Sequence, residues 1–256
     1  MSTYAILGAT GQVGGSILSL LGADGKNNIN VLVRSRHKLE KTCPTLSSSS
    51  HIHVFEGDIS NVSILADCLE HTSAVFLTVA VTDNRPGVSI SVDTAQAVIS
   101  ALQSLRAKDS AFRPPRLVVL SSASLDERFW RGVPAFVHNL MYAANFHIYE
   151  DLARAETFLR QHEGWLDMTF VMPGGLSHDV LHEQALDGER QQTFISFLDV
   201  AAGMVEVADA DDKWQGKHVS VVLKGGQKGK IEWSASVLLL KGLLGYYCPW
   251  LYTWLI

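Results

Sequence analysis

Cysteine is scarce in this chain: the 256 residues hold three, Cys43, Cys68 and Cys248, far apart and with no Cys-x-x-Cys. An odd, scattered set argues against a disulfide framework and a structural zinc site. Ten histidines are present, but no His-x-x-x-His pair falls on a predicted helix, so no metal site is expected. Charge is modest as well, at 18% of residues with a net −5, and no long Lys/Arg run occurs. A nucleic-acid surface is therefore not expected. No apolar run reaches the ~20 residues that a spanning helix needs. The nearest approach, 235–256, is interrupted by Lys241 and Pro249. That tail is expected to pack on the domain or line a substrate cleft, with peripheral membrane contact as the second reading. The first strand begins within a few residues of Met1, too soon for a signal peptide, so the expected compartment is the cytoplasm.

What the chain has in quantity is apolar residues, at 47%, enough for a sizeable core. Short apolar runs at 4–7, 30–33, 53–55, 74–80, 117–120, 168–171 and 218–223 read as strands. Segments 13–21, 64–69, 92–105, 143–160 and 197–207 carry helical spacing. Strand and helix alternate to about residue 170, which predicts right-handed crossovers and a parallel sheet covered on both faces. The expected fold is α/β, a Rossmann-type doubly wound sheet in one domain over 1–256. Residues 173–256 would supply substrate-side loops, a helix and the apolar tail as a small covering region. Ser47–Ser50 and 108–115 read as surface loops.

Gly8-Ala9-Thr10-Gly11-Gln12-Val13-Gly14 stands between the first strand and the first helix. Glycine there lets the backbone turn with positive φ and approach a pyrophosphate closely. N–H groups from about Gln12 onward would face the anion. At the end of the second strand a dinucleotide site usually has an Asp or Glu for the ribose 2′-hydroxyl. This chain has Val33-Arg34-Ser35-Arg36 instead, with Lys38 close behind, which suits a 2′-phosphate and predicts NADP(H). Asp58 and Ile59, after the third strand, are expected beside the adenine.

Together, Gly8-Ala9-Thr10-Gly11-x-x-Gly14, Val31-Leu32-Val33-Arg34, Gly57-Asp58-Ile59, Val118-Val119-Leu120-Ser121-Ser122 and Pro173-Gly174-Gly175-Leu176 resemble the atypical short-chain dehydrogenase/reductases. Within them the likeness is to the NmrA-like NAD(P)-binding group, over about residues 4–225, with the flavour of fungal natural-product tailoring proteins. The resemblance implies a Ser that polarises a carbonyl, a Tyr that protonates it and a Lys four residues after the Tyr. That Tyr–Lys pair is missing here: Phe146 follows Tyr142 at that spacing, Ala153 follows Tyr149, and no lysine occurs between Lys108 and Lys213. Met172 also replaces the arginine that many relatives carry before the Pro-Gly.

The remaining catalytic candidates are Ser121, Ser122 and Ser124 after the fifth strand, and His147, Tyr149 and Asp151 near the start of a long helix. His147 and Asp151 are four apart and would share a helix face, as a His–Asp acid–base pair does, while Tyr149 lies on another. His178 falls in the loop expected to cap substrate. Three functions follow. The first is an NADP(H)-dependent oxidoreductase acting on an apolar small molecule, in secondary metabolism. The second is a non-redox isomerase, dehydratase or cyclase on the same fold. The third is an NADP(H)-sensing regulatory binder. Fold alone does not choose among them.

Overall fold

The computed structural model describes residues 2–44, 49–231 and 234–250. Much of the Ser47–Ser50 loop, and the tail beyond Trp250 with its second tryptophan Trp254, lie outside the described residues. The first half alternates strictly: β1 (Thr3–Leu7), α1 (Gln12–Asp24), β2 (Asn28–Val33), α2 (Arg36–Thr42), β3 (Ile52–Glu56), α3 (Val62–Leu69), β4 (Ala74–Leu77), α4 (Ile90–Lys108) and β5 (Arg116–Leu120). Then come α5 (Ala135–Ala144), α6 (Phe146–Arg160), β6 (Met168–Val171), β7 (Leu176–Ser177), β8 (Gln184–Asp187), β9 (Ile195–Ser196), α7 (Phe197–Asp209), β10 (His218–Leu223) and α8 (Ser234–Tyr247).

The main sheet has the order β3-β2-β1-β4-β5-β6-β10-β8. Every neighbouring pair is parallel except β10–β8, in which Ser220 faces Asp187. This is the doubly wound α/β fold, and its strand order reverses between β1 and β4. Central strands feed two cores because successive side chains point to opposite faces. Ala5 and Leu7 of β1 join Val75 and Leu77 of β4 under α3, α4 and α6. Tyr4 and Ile6 join Ala74 and Phe76 under α1 and α7. Strands buried on both faces read as continuous apolar runs, which is why they were legible in the sequence.

Helix boundaries follow local chemistry. Ser35 caps α2 by accepting from Lys38 N–H, Asn61 caps α3 by accepting from Ile64 N–H, and Ser196 with Asp199 forms a reciprocal capping box on α7. Gly25, at φ 62°, ends α1 in the left-handed conformation.

Two expectations need correction. The helix expected over 143–160 is two helices, broken at Asn145, whose side-chain amide donates to Met141 C=O at 3.0 Å. Asparagine satisfies a neighbouring helix end more readily than it continues a helix. The fourth strand stops at Leu77 instead of reaching Ala80, because the chain leaves the sheet to line a cleft. Part of the apolar tail forms α8, docked on the α5–α6 junction: a Cβ on Gly242 would meet Ala144 O at 2.0 Å. Among the described residues no helix is long and apolar enough to cross a membrane.

Candidate active site

A cleft of ≈ 1020 Å³ opens at the carboxyl ends of β1, β2 and β4, where the strand order reverses. That is where doubly wound sheets bind ligands. Its walls include Gly8, Thr10, Gly11, Arg34, Lys38, Asp58 and Ile59, with Thr78–Val81 opposite. Gly8 sits at φ 101°, which only glycine adopts without strain.

The glycines divide the work. Gly14 serves packing: a Cβ there would lie 2.3 Å from Gly8 O and 2.6 Å from Thr78 Oγ1. Thr78 in turn donates to Leu7 C=O at 2.8 Å, which locks the turn to the neighbouring strand. Gly11 caps α1 and lines the cleft, and its missing Cβ would approach Gly8 O at 3.2 Å and little else. Gln12 is exposed and Val13 buried, and their main-chain N–H groups belong to the first turn of α1, next to the cleft-lining Gly11, where no intrahelical acceptor exists. Glycine backbone, an open helix N-terminus and cations at the end of β2 fit a dinucleotide phosphate.

The two arginines expected at the ribose separate. Arg34 lines the cleft together with Lys38, whereas the Arg36 guanidinium turns back to Val54 C=O at 3.0 Å. Asp58 accepts from Ser60 N–H at 3.0 Å and Ser60 Oγ at 2.8 Å. Those bonds, with Arg34 nearby, hold its carboxyl below the usual range.

The catalytic candidates also sort differently from the sequence expectation. Asp151 is fully buried and accepts from Ser91 N–H (2.8 Å) and Val92 N–H (3.3 Å) at the start of α4. It is a helix-capping carboxylate, so the His147–Asp151 pair expected from the four-residue spacing is corrected: the N–H groups at the start of α4 claim the carboxylate. His147 donates its main-chain N–H to Asn84 Oδ1 at 2.8 Å, and burial pushes its imidazole pKa down. Ser121 Oγ is buried without a hydrogen-bond partner and lines a separate small pocket of ≈ 20 Å³, beside Thr94 and Glu156. Ser122 caps a short 3₁₀ turn by accepting from Ser124 N–H. Neither serine opens onto the main cleft.

Ser124 and Tyr149 do come together, with Oγ and OH 3.1 Å apart. Around them Trp130 and His138 are T-stacked at 4.6 Å, and Tyr142 lies 5.5 Å from Tyr149. Tyr142 OH donates to Glu150 at 3.0 Å, and burial with that carboxylate pushes its pKa up to about 12. This aromatic group stands beyond the end of β5, the strand next to β4; Ser124 and Tyr149, like Ser121 and Ser122, are not among the residues that line the main cleft.

Asn84, missed in the sequence, joins the two regions. Buried beside the cleft-lining Asp83 and Arg85, it accepts from His147 N–H and donates to Ala143 C=O and Gly242 C=O. A lone loop asparagine carries no periodic signal. Also missed was His218, whose ring nitrogens lie 2.6 Å from Asp126 and 2.6 Å from Glu156. A third such group is His182, 3.0 Å from the buried Asp199. His178, in the loop expected to cap substrate, packs on Phe197 with ring centroids 4.9 Å apart. Among the described residues no cluster of ligating side chains could hold a metal ion.

The family model that matches this chain is described as NAD(P)H-binding and spans residues 8–211. The chain is 45% identical to oxidoreductase stcQ of Emericella nidulans, the alignment covering 100% of this chain and 94% of that protein. It is 41% identical to oxidoreductase aflX of Aspergillus parasiticus, covering 99% and 95%. Among solved structures, a wide-type short-chain dehydrogenase/reductase from Veillonella parvula in complex with NADP superposes with a TM-score of 0.69 at 19% identity, covering 91% of this chain and 99% of that one. At that identity the likeness is one of fold.

Proposed function

The chain belongs to the NAD(P)H-binding family, and from that premise we propose that it is an NADP(H)-dependent oxidoreductase acting on an apolar small molecule. Its fold and relatives fit the atypical short-chain dehydrogenase/reductase group. The preference for the 2′-phosphorylated nucleotide is supported by one observation above others: Arg34 and Lys38 both line the cleft at the end of β2. When bound, the nicotinamide supplies or accepts a hydride.

The chain's own residues handle the proton. The proton donor to a carbonyl oxygen in this reading is Tyr149, a role supported by the hydrogen bond that Ser124 Oγ gives its hydroxyl at 3.1 Å. The position four residues on is Ala153, and the nearby Arg154 is occupied by Val88 C=O at 2.7 Å. In this reading Tyr149 works without the lysine that the family resemblance implies. Trp130, His138 and Tyr142 give the pair an aromatic wall that excludes water and favours an apolar, ring-bearing substrate.

Turnover of a panel of apolar ketones and aldehydes, with product and NADPH absorbance followed together, tests this reading. One NADPH consumed per product formed is expected. Product formed without NADPH consumption would place the reaction in the isomerase or dehydratase class instead.

A further inference from the structure

The chain is divided in charge. Residues 213–256 carry six lysines against one glutamate, whereas 1–212 carry 15 Lys and Arg against 25 Asp and Glu. The basic segment runs into α8, and α8 is turned the wrong way round for a helix in water. Its two glycines face inward: Gly242 and Gly245 are buried, and Gly242 abuts Ala144. Most of its large apolar residues face outward, with Val237 68%, Leu240 64% and Tyr247 69% exposed, while Leu239 and Leu243 are partly covered. A water-facing surface helix shows the opposite pattern.

The orientation is fixed by specific contacts. Asn84 donates to Gly242 C=O, Lys241 pairs with Asp83 at 2.9 Å, and Tyr246 packs on Phe146 with ring centroids 5.1 Å apart. Rotating α8 to bury its leucines would break all three. The exposed apolar surface extends to Phe136 on α5 and to Ile231 just before α8. Lys224, Lys228 and Lys230 are exposed on the approach to it. A patch of this kind marks an interaction surface.

We propose that α8 and the lysines before it form a docking surface for an anionic lipid bilayer, with the helix lying in the headgroup plane. An outward apolar face, tyrosine and tryptophan at its end and flanking lysines make the combination that binds there. Charge decides against a second copy of the chain as occupant. A two-fold contact sets each patch on its own copy and brings the lysine segments together, whereas anionic headgroups neutralise them. Pro249, after α8, lines the cleft, so an apolar substrate held in the bilayer would meet the protein beside its binding site. The proposal does not rest on the oxidoreductase reading, because lipid binding is measured without turnover.

Co-sedimentation of the full chain with vesicles of 70:30 phosphatidylcholine and phosphatidylserine tests it. The protein should pellet with these vesicles and far less with phosphatidylcholine alone. Val237→Glu with Leu240→Glu should abolish pelleting while NADPH affinity stays intact. Lys224→Gln, Lys228→Gln and Lys230→Gln, all in an exposed loop, should weaken binding by roughly fivefold per lysine, and they serve if the glutamate variant does not fold. Wild-type protein that stays in the supernatant overturns the proposal. So does a concentration-dependent dimer in analytical ultracentrifugation that the glutamate pair dissolves, with no vesicle binding.

Discussion

Ser124 Oγ and Tyr149 OH lie 3.1 Å apart, one from the turn after β5 and the other from the first turn of α6. The sequence spacing suggested His147 with Asp151 as the acid–base pair, but Asp151 caps α4 and burial lowers the pKa of His147. Tyr149→Phe should therefore lower turnover by roughly 10²-fold or more, the scale of a lost general acid. Ser124→Ala should cost less, and His147→Ala least of the three. Steady-state kinetics on one substrate, with NADPH affinity unchanged, would show that order. A larger loss in His147→Ala than in Tyr149→Phe would reverse the assignment.

Nucleotide selectivity should reside in Arg34 and Lys38. Arg34→Ala is expected to weaken NADPH binding by about 1.5–3 kcal/mol, the value of a hydrogen bond to a charged group, and to leave NADH nearly unaffected. Arg36→Ala should change neither, because that guanidinium already bonds Val54 C=O. Calorimetry with both nucleotides decides it, and equal wild-type affinities would remove the NADP preference.

Gly11 and Gly14 should fail differently when substituted. Gly14→Val drives a side chain into Gly8 O and Thr78, so it should lower the melting temperature as well as NADPH affinity. Gly11→Ala meets only Gly8 O at 3.2 Å and should weaken NADPH with the melting temperature nearly unchanged. Thermal unfolding without nucleotide separates the two.

The Asp126–His218–Glu156 cluster predicts a pH signature. Burial alone would lower the His218 pKa, but the Glu156 and Asp126 carboxylates outweigh it and raise it above 6.5. Against the opposing effect of burial, Arg128 and His218 hold Asp126 well below the usual carboxylate range, and His218 with Arg160 holds Glu156 below it. The raised histidine contributes stability that is complete below 6.5 and lost as pH rises through its folded value. The depressed carboxylates contribute stability that is present above about pH 4.5 and lost as pH falls through their folded values. The melting-temperature gap between wild type and His218→Gln should therefore be widest near about pH 5.5 and narrow towards pH 9. A gap that does not vary with pH would mean that His218 acts by packing on Phe170 alone.

The sequence determined the parallel strands and the phosphate turn, because both rest on local chemistry, but not the antiparallel edge strand β8, whose half-buried residues form no apolar run. Strands such as Ala74–Leu77 are buried on both faces and read as unbroken apolar runs, and Gly8, with positive φ, needs glycine wherever the chain goes next. Arg34 was legible for the same reason, since the end of β2 is a fixed position in this fold. What only the tertiary structure decided is who meets whom across long separations. Asp151 bonds the start of α4, 60 residues away, instead of its helical neighbour. Asn84 reaches 158 residues to Gly242 and so turns the leucines of α8 outward. Helical spacing reports which side chains share a face. It does not report which face the rest of the chain will cover, and a buried N–H or C=O elsewhere makes that choice.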